Sequence, residues 1–292
     1  MPVTDTPLRY PGGKTQLAPF VSSLLSQNGL QGGHYAEPFA GGCGIAWRLL
    51  FSGQATELWL NDIDPAVHAF WDAAINDTDE LCGRVHGAVL NMSEWHRQRA
   101  IFHNAGSAGI ELAFATLYLN RTNRSGILAG GVIGGERQTG NYKLDCRFNK
   151  ADLIRKIERI GRYRDVVHLS NEDARLCLSK WDDILPAKAL INIDPPYFGK
   201  GSELYINHFK PDDHASLSRQ VRRLKRRWMM TYDDVPEIEA LYQGLPIYKT
   251  SLLYSAQTKR KGTELLITYR TLVMPTTEAD SAISQRTMRI AA

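Results

Sequence analysis

Ala189-Leu190-Ile191-Asn192-Ile193-Asp194-Pro195-Pro196-Tyr197-Phe198-Gly199 is the stretch whose reading decides the fold. Residues 189–193 form a short, mostly apolar run closed by an acid, which reads as a buried parallel strand. The run stops because neither Pro195 nor Pro196 can donate to a sheet ladder. Asp194 is therefore expected at the carboxyl end of a strand, where open α/β sheets bind ligands. Pro195 fixes its own φ and is restricted in turn by Pro196, so the turn is stiff and the Pro195 carbonyl has a set direction. Beside it stand a carboxylate, Asp194, and an aromatic ring, Tyr197. Two acceptors and a flat face suit a planar heterocycle with an exocyclic amino group: each acceptor takes one N–H and Tyr197 stacks on the ring.

Strand and helix patterns alternate around this stretch. His34–Glu37 reads as a strand, Pro38–Gly44 as a glycine-rich loop and Ile45–Phe51 as the start of a helix, an arrangement that lets a cofactor approach the backbone. Glu57–Asp62 is a second strand, ending in an acid 25 positions after Glu37. An acid there typically accepts from ribose hydroxyls. Asp62 is the first choice and Asp64 the second, although Asp64 equally suits the N-cap of a helix opening at Pro65. Asn149–Ile160 is an amphipathic helix, Val166–Leu169 a third strand and Asp212–Arg227 a basic helix. Trp228–Tyr232 is a further strand. Ile247–Tyr254 and Glu264–Tyr269 form a hairpin with a basic tip, Gln257–Gly262. At the other end of the chain, Pro11-Gly12-Gly13 is strong turn chemistry ahead of a helix over Leu17–Leu25, suited to a carboxylate or phosphate. The full P-loop spacing is missing.

Residues 67–119 break the alternation with four successive helix patterns and no strand, so an inserted subdomain is expected. It continues into Asn120–Ile127 and a glycine-rich segment to Tyr142, read as a loop or hairpin with Arg, Lys and Asn projecting. These side chains have the shapes suited to bidentate base contacts.

Composition narrows the class. The chain has 292 residues, 43% hydrophobic and 23% charged, as in ordinary globular proteins. It has no apolar run of membrane-span length and no signal-peptide pattern at Met1–Asp5. Cys43, Cys82, Cys146 and Cys177 match neither a zinc spacing nor a disulfide framework, so reduced cysteines, no metal and a cytoplasmic location are expected. The net charge of +4 is weak evidence for a polyanion. The basic residues cluster, however, at Arg219, Arg222, Arg223, Lys225, Arg226 and Arg227, and again at Arg121, Arg124, Arg137, Lys143 and Arg147. A solvated helix face explains the first cluster equally well.

Asp194-Pro195-Pro196-Tyr197 resembles the D-P-P-Y tetrapeptide of amino-group DNA methyltransferases. Five other segments resemble, in the same order, motifs of the Dam-type adenine-N6 branch. They are Arg9-Tyr10-Pro11-Gly12-Gly13-Lys14, Glu37-Pro38-Phe39-Ala40-Gly41-Gly42, Asn123-Arg124-Ser125-Gly126, Asn171-Glu172-Asp173-Ala174 and the closing Lys259–Leu266 stretch. Two positions depart from the pattern: Cys43 stands for a third glycine, for which Gly44 is expected to compensate, and Ala174 stands for an aromatic. The likeness implies an α/β fold with a Rossmann-like S-adenosylmethionine-dependent methyltransferase sheet. The catalytic domain would be discontinuous, residues 1–66 and 151–275, with a target-recognition insertion at 67–150 and a polar tail at 276–292.

The resemblance further implies catalysis by Asp194, Pro195, Pro196 and Tyr197. It implies S-adenosylmethionine held by Tyr10, Lys14, Glu37, Phe39, Gly41, Gly42, Asp62, Ile63, Asp173 and Asp194. DNA contacts fall to Arg9, Lys14, Asn123, Arg124, Ser125, Arg137 and Lys143. The implied partner is double-stranded DNA, bound by a monomer or by a dimer on DNA, with an adenine flipped out of the duplex in a prokaryotic or phage setting. A catalytically silent DNA-binding protein on the same scaffold and an RNA methyltransferase are the competing readings. Intact Tyr10, Lys14, Glu37, Asp62 and D-P-P-Y argue against the first.

Overall fold

The computed structural model describes residues 4–9, 14–199, 209–254 and 260–275. Seven strands form one sheet: β1 (Gly33–Glu37), β2 (Ala55–Asn61), β3 (Val167–Ser170), β4 (Ala189–Ile193), β5 (Arg227–Asp233), β6 (Ile247–Tyr254) and β7 (Arg260–Thr268). Their spatial order is β3-β2-β1-β4-β5-β7-β6. The first five are parallel, and β7 enters antiparallel between β5 and β6. The order reverses between β1 and β4, so a crevice opens at the carboxyl ends of these two strands. Glu37 and Asp194 stand on its two sides.

Strand side chains alternate between two apolar layers. Tyr35, Leu190, Met229 and Leu266 face one core. Their neighbours Ala36, Ile191, Met230 and Leu265 face the other. Every residue of β4 is buried, which accounts for its unbroken apolar run. The first core is closed by α1 (Ala18–Gln27), α2 (Gly44–Phe51) and α3 (Pro65–Asn76), and the second by α8 (Ala174–Ile184), α9 (Pro211–Val221) and α10 (Pro236–Leu241).

The region expected to be an insertion supplies α4 (Thr78–Gly87), α5 (Met92–His103) and α6 (Gly109–Thr122), followed by α7 (Lys150–Gly161). Leu112–Asn120 of α6 are all buried, because the helix is wrapped by α3 and α5. Leu81, Trp95, Ala113, Leu117 and Leu153 join the same core as Trp47, Phe70 and Trp71. Helix starts follow their caps: Asp64 accepts from Ala66 N with Pro65 in the first turn, Asn91 from Glu94 N, and Asn149 from Asp152 N.

Two expectations are corrected. The basic helix ends at Val221 rather than Arg227. The Asp182 carboxylate accepts from Lys225 N and Arg226 N, at 2.7 and 2.9 Å, and turns the chain into β5. The basic residues there are also less free than a solvated face implies: Arg222 donates to Leu241 O and Gln243 O, and Arg226 to Leu185 O. The segment 123–143 is not a ladder hairpin. It holds one isolated bridge, Asn123 with Val132, and is shaped by side chains. Gln138 donates to Ile133 O and Gly135 O and accepts from Leu144 N. Among the described residues no helix is long and apolar enough to cross a membrane.

Candidate active site

Acids end four of the five parallel strands along one edge of the sheet. Glu37 closes β1, Asp62 follows β2, Asp194 follows β4 and Asp233 closes β5. Each is fixed differently. Glu37 is buried, accepts from the Tyr35 hydroxyl at 3.1 Å and lies 3.5 Å from Asn192 Nδ2. Burial pushes its carboxyl up to about 8. Asp62 accepts from Gly41 N at 2.8 Å through Oδ2 and from Asp64 N at 3.0 Å through Oδ1. Burial raises it to about 6, against those two hydrogen bonds. Asp62 thus ties the glycine loop to the second strand, while Asp64 is spent as the α3 cap.

The loop itself carries Gly41 at φ +47° and Cys43 at φ +47°. Cys43, standing where the motif has a third glycine, adopts the left-handed conformation that glycine tolerates best. Gly44 does not compensate by flexibility. It opens α2, where a Cβ would lie 2.0 Å from Thr15 Oγ1, so its role is close packing. Phe39 sits edge-on to Phe209 with centroids 5.8 Å apart, and Ile63 is exposed beside Asp62. Asp173 caps α8 through Arg175 N and is ion-paired with the Arg175 guanidinium at 2.6 Å. That pairing holds its carboxyl below the usual range.

Around Asp194 the parallel register brings Thr231 alongside, since Ile193 pairs with Met230. Across the antiparallel register Asp233 faces Glu264. Side chains two apart on a strand share a face, so Asp194, Thr231 and Glu264 converge. Asp194 Oδ1 accepts from Thr231 Oγ1 at 2.8 Å and from the Lys14 ammonium in a close ion pair. Lys14 Nζ also donates to Thr231 Oγ1 at 2.9 Å, lies 3.7 Å from Glu264 Oε2 and sits 4.9 Å above the Tyr197 ring centre. Tyr197 donates a short hydrogen bond to Glu264 Oε1. Asp233 receives Phe198 N and Gly199 N at 3.0 and 2.7 Å, fixing the chain beyond Tyr197. Pro195 is buried and Pro196 half-buried in this turn. Asp194 Oδ2 has no partner among the described residues.

Lys14 was expected at both cofactor and DNA. It is 7% exposed and belongs to the Asp194 cluster. Tyr10 and the Pro11–Gly13 turn lie outside the described residues, as do most of the loop after Gly199 and the tip Gln257–Lys259. Glu264 and Thr231 were missed: their alternation marks them only as strand residues.

The DNA-contact candidates form a separate group. Arg9 is docked through its backbone, its N–H donated to Asn120 Oδ1 at 2.7 Å and its carbonyl accepting from Asn120 Nδ2 at 2.8 Å. Burial and the nearby Arg147 lower its pKa. Arg124, Arg137 and Lys143 are exposed, and Ser125 is half-buried at φ +57°. Asn123 does not project. It is fully buried, accepts from Trp95 Nε1 at 2.8 Å and donates to Ile127 O and Leu128 O, which uses up its amide.

The sequence matches the family described as D12 class N6 adenine-specific DNA methyltransferase over residues 10–258. It is 22% identical over 265 residues to the Type II methyltransferase M.MjaIII of Methanocaldococcus jannaschii, covering 83% of this chain and 89% of that protein. A candidate RNA methyltransferase of Pyrococcus horikoshii aligns in its crystal structure at a TM-score of 0.43 and 9% identity, over 91% of this chain and 87% of that one.

Proposed function

From the premise that the chain belongs to the D12 class of N6 adenine-specific DNA methyltransferases, we propose that it takes its methyl group from S-adenosylmethionine and transfers it to an adenine turned out of duplex DNA, with Asp194, Pro195, Pro196 and Tyr197 as its catalytic residues. One observation carries the assignment of roles. A carboxylate with one oxygen unpartnered among the described residues, a stiff Pro-Pro turn and an aromatic ring stand together at the end of β4, beside the switch in strand order.

The donor set supports S-adenosylmethionine. Glu37 and Asp62 are buried acids suited to a cationic ligand carrying a ribose diol, and the Gly41-Gly42 turn lets it approach the backbone. Lys14, Tyr10, Phe39, Ile63, Asp173 and Asp194 complete the proposed pocket. Asp173 already bonds Arg175, so any adenine contact there involves both residues. When bound, S-adenosylmethionine supplies an electrophilic methyl group. The protein supplies position and charge. The adenine amino nitrogen is a poor nucleophile because its lone pair is delocalised. Asp194 and the Pro195 carbonyl accept its two N–H groups, localise the lone pair and stabilise the positive charge that develops. Tyr197 stacks on the base, which must leave the duplex to reach this edge.

Arg9, Arg124, Arg137 and Lys143 fit a role at the phosphates or base edges of the target site. The region 67–150 is the proposed recognition element, and the cytoplasm, where DNA and cofactor meet, the proposed location. Replacing Asp194 tests the assignment. Asp194→Ala should lower N6-methyladenine formation by about 10²-fold or more, measured on unmethylated plasmid DNA, while calorimetry finds S-adenosylmethionine binding largely intact. Turnover within about tenfold of wild type would defeat the role given to Asp194.

A further inference from the structure

We propose that Glu264 is a positioning residue for the methyl transfer: it fixes the Tyr197 hydroxyl and draws the Lys14 ammonium off Asp194 when the target amino group arrives. The inference rests on the roles just given to Asp194 and Tyr197.

Glu264 is 1% exposed, the least accessible acid among the described residues. Its two oxygens are used unequally. Oε1 receives the Tyr197 hydroxyl, while Oε2 is buried without a hydrogen-bond partner. A buried carboxylate oxygen left so is costly and calls for an explanation. The nearest cation is Lys14 Nζ, 3.7 Å away. A displacement of about 1 Å turns that separation into a charge-assisted hydrogen bond.

Lys14 has a reason to move. Its ammonium rests on Asp194 Oδ1, the side chain proposed to receive the adenine N–H. A cation held there opposes positive charge developing on the adjacent amino nitrogen. Passing to Glu264 Oε2 relieves the crowding and takes a cation off the carboxylate whose Oδ2 is open to the substrate. Charge counting points the same way. One ammonium with two carboxylates, Asp194 and Glu264, sums to one negative charge, which favours a cationic amino group. With Glu264 protonated the sum is zero and that help is lost.

Among the described residues, the charged and titratable groups facing Glu264 are Lys14 from the segment before α1, and Asp194 and Tyr197 from the turn after β4. Asp233 lies opposite on β5, with its oxygens on Phe198 N and Gly199 N. Burial raises the Glu264 carboxyl to about 7, Lys14 and the Tyr197 hydrogen bond pull it down, and Asp194 pushes it up. The ionised form is therefore gained through neutral pH.

The experiment uses the full chain, saturating S-adenosylmethionine with a labelled methyl group, and plasmid DNA from a host lacking adenine methylation. Single-turnover rates are read from about pH 5.5 to 8.5. The wild-type rate should climb through about pH 7. Glu264→Gln should be slower by about tenfold or more at the plateau and should lose that climb. Tyr197→Phe, which removes the hydroxyl that lowers the Glu264 pKa, should move the climb to higher pH. Thermal unfolding of the cofactor-free Glu264→Gln variant reports whether it folds. If it does not, the Tyr197→Phe shift decides. A wild-type rate level across the range, a Gln variant that is slow yet keeps the climb, or a Tyr197→Phe profile that does not move would each overturn the proposal. A wild-type protein that forms no N6-methyladenine at any pH would remove the site assignment along with it.

Discussion

Gly126 presses two remote parts of the chain together. It sits at φ +77°, and a Cβ on it would lie 2.0 Å from the Arg9 carbonyl oxygen, a backbone atom that cannot swing aside. Asn120 bonds both the Gly126 and Arg9 carbonyls, so the turn and the opening segment are docked as one piece. Gly126→Ala combines left-handed strain with a backbone clash and should cost about 2 kcal/mol or more. A urea unfolding midpoint will measure it; a loss below about 0.5 kcal/mol would mean that the docking is looser than described. Single residues also mark where sequence reading stops. Asp194 was legible because two prolines end its strand. Asn123 was misread as projecting, because a polar residue in a glycine-rich loop gives no sign that Trp95, 28 positions away, will bury it. Glu264 was passed over because its meaning comes from Lys14 and Tyr197, neither of them near it in sequence.

Among the elements, the loop after α6 carries Arg124, Arg137 and Lys143 outward on a frame that side chains hold in place. Gln138, itself at φ +50°, gathers its backbone, and Asn123 anchors its start. An exposed arginine on such a frame can meet DNA without first paying for the ordering of the loop. Arg124→Ala should therefore weaken DNA binding. If Arg124 contacts a phosphate, all sequences suffer alike and the salt dependence flattens by about one charge. If it reads a base edge, discrimination falls by roughly 1–3 kcal/mol. Binding titrations at several salt concentrations separate the two, and an unchanged affinity and slope would place recognition elsewhere. Strand and helix identities were largely legible, since periods of two and 3.6 alternate along the chain. The length of the basic helix was not, because its run of basic residues continues past Val221 into the turn that Asp182 on α8 holds at Lys225 and Arg226. The entry of β7 between β5 and β6 was not legible either: a hairpin pattern gives the pairing of its two strands and not which of them meets the sheet.

Among the described residues burial makes ionisation unfavourable at four carboxylates: Glu37, raised to about 8, Glu264 to about 7, Asp62 to about 6, and Asp64, also raised. In each case burial is the main cause. The folded state keeps protons that the unfolded chain has already released, so these groups favour folding at low pH and lose that contribution as pH rises through their folded values. The cofactor-free protein should melt lower at pH 8 than at pH 5.5, by roughly 5 °C or more. Glu37→Gln should flatten the upper part of the curve. A melting temperature that is level or rising over this window would contradict the burial argument. One further consequence follows from the antiparallel entry of β7. Lys14 and Glu264 lie far apart in sequence, Lys14 ahead of β1 and Glu264 in β7, yet they end 3.7 Å apart across Asp194 and Tyr197. While the ribosome is still reading toward the final strand, the emerging polypeptide already owns the D-P-P-Y turn and the glycine loop but not the acid that faces them. On the roles proposed above, Glu264 is thus the last of the site's groups to be translated.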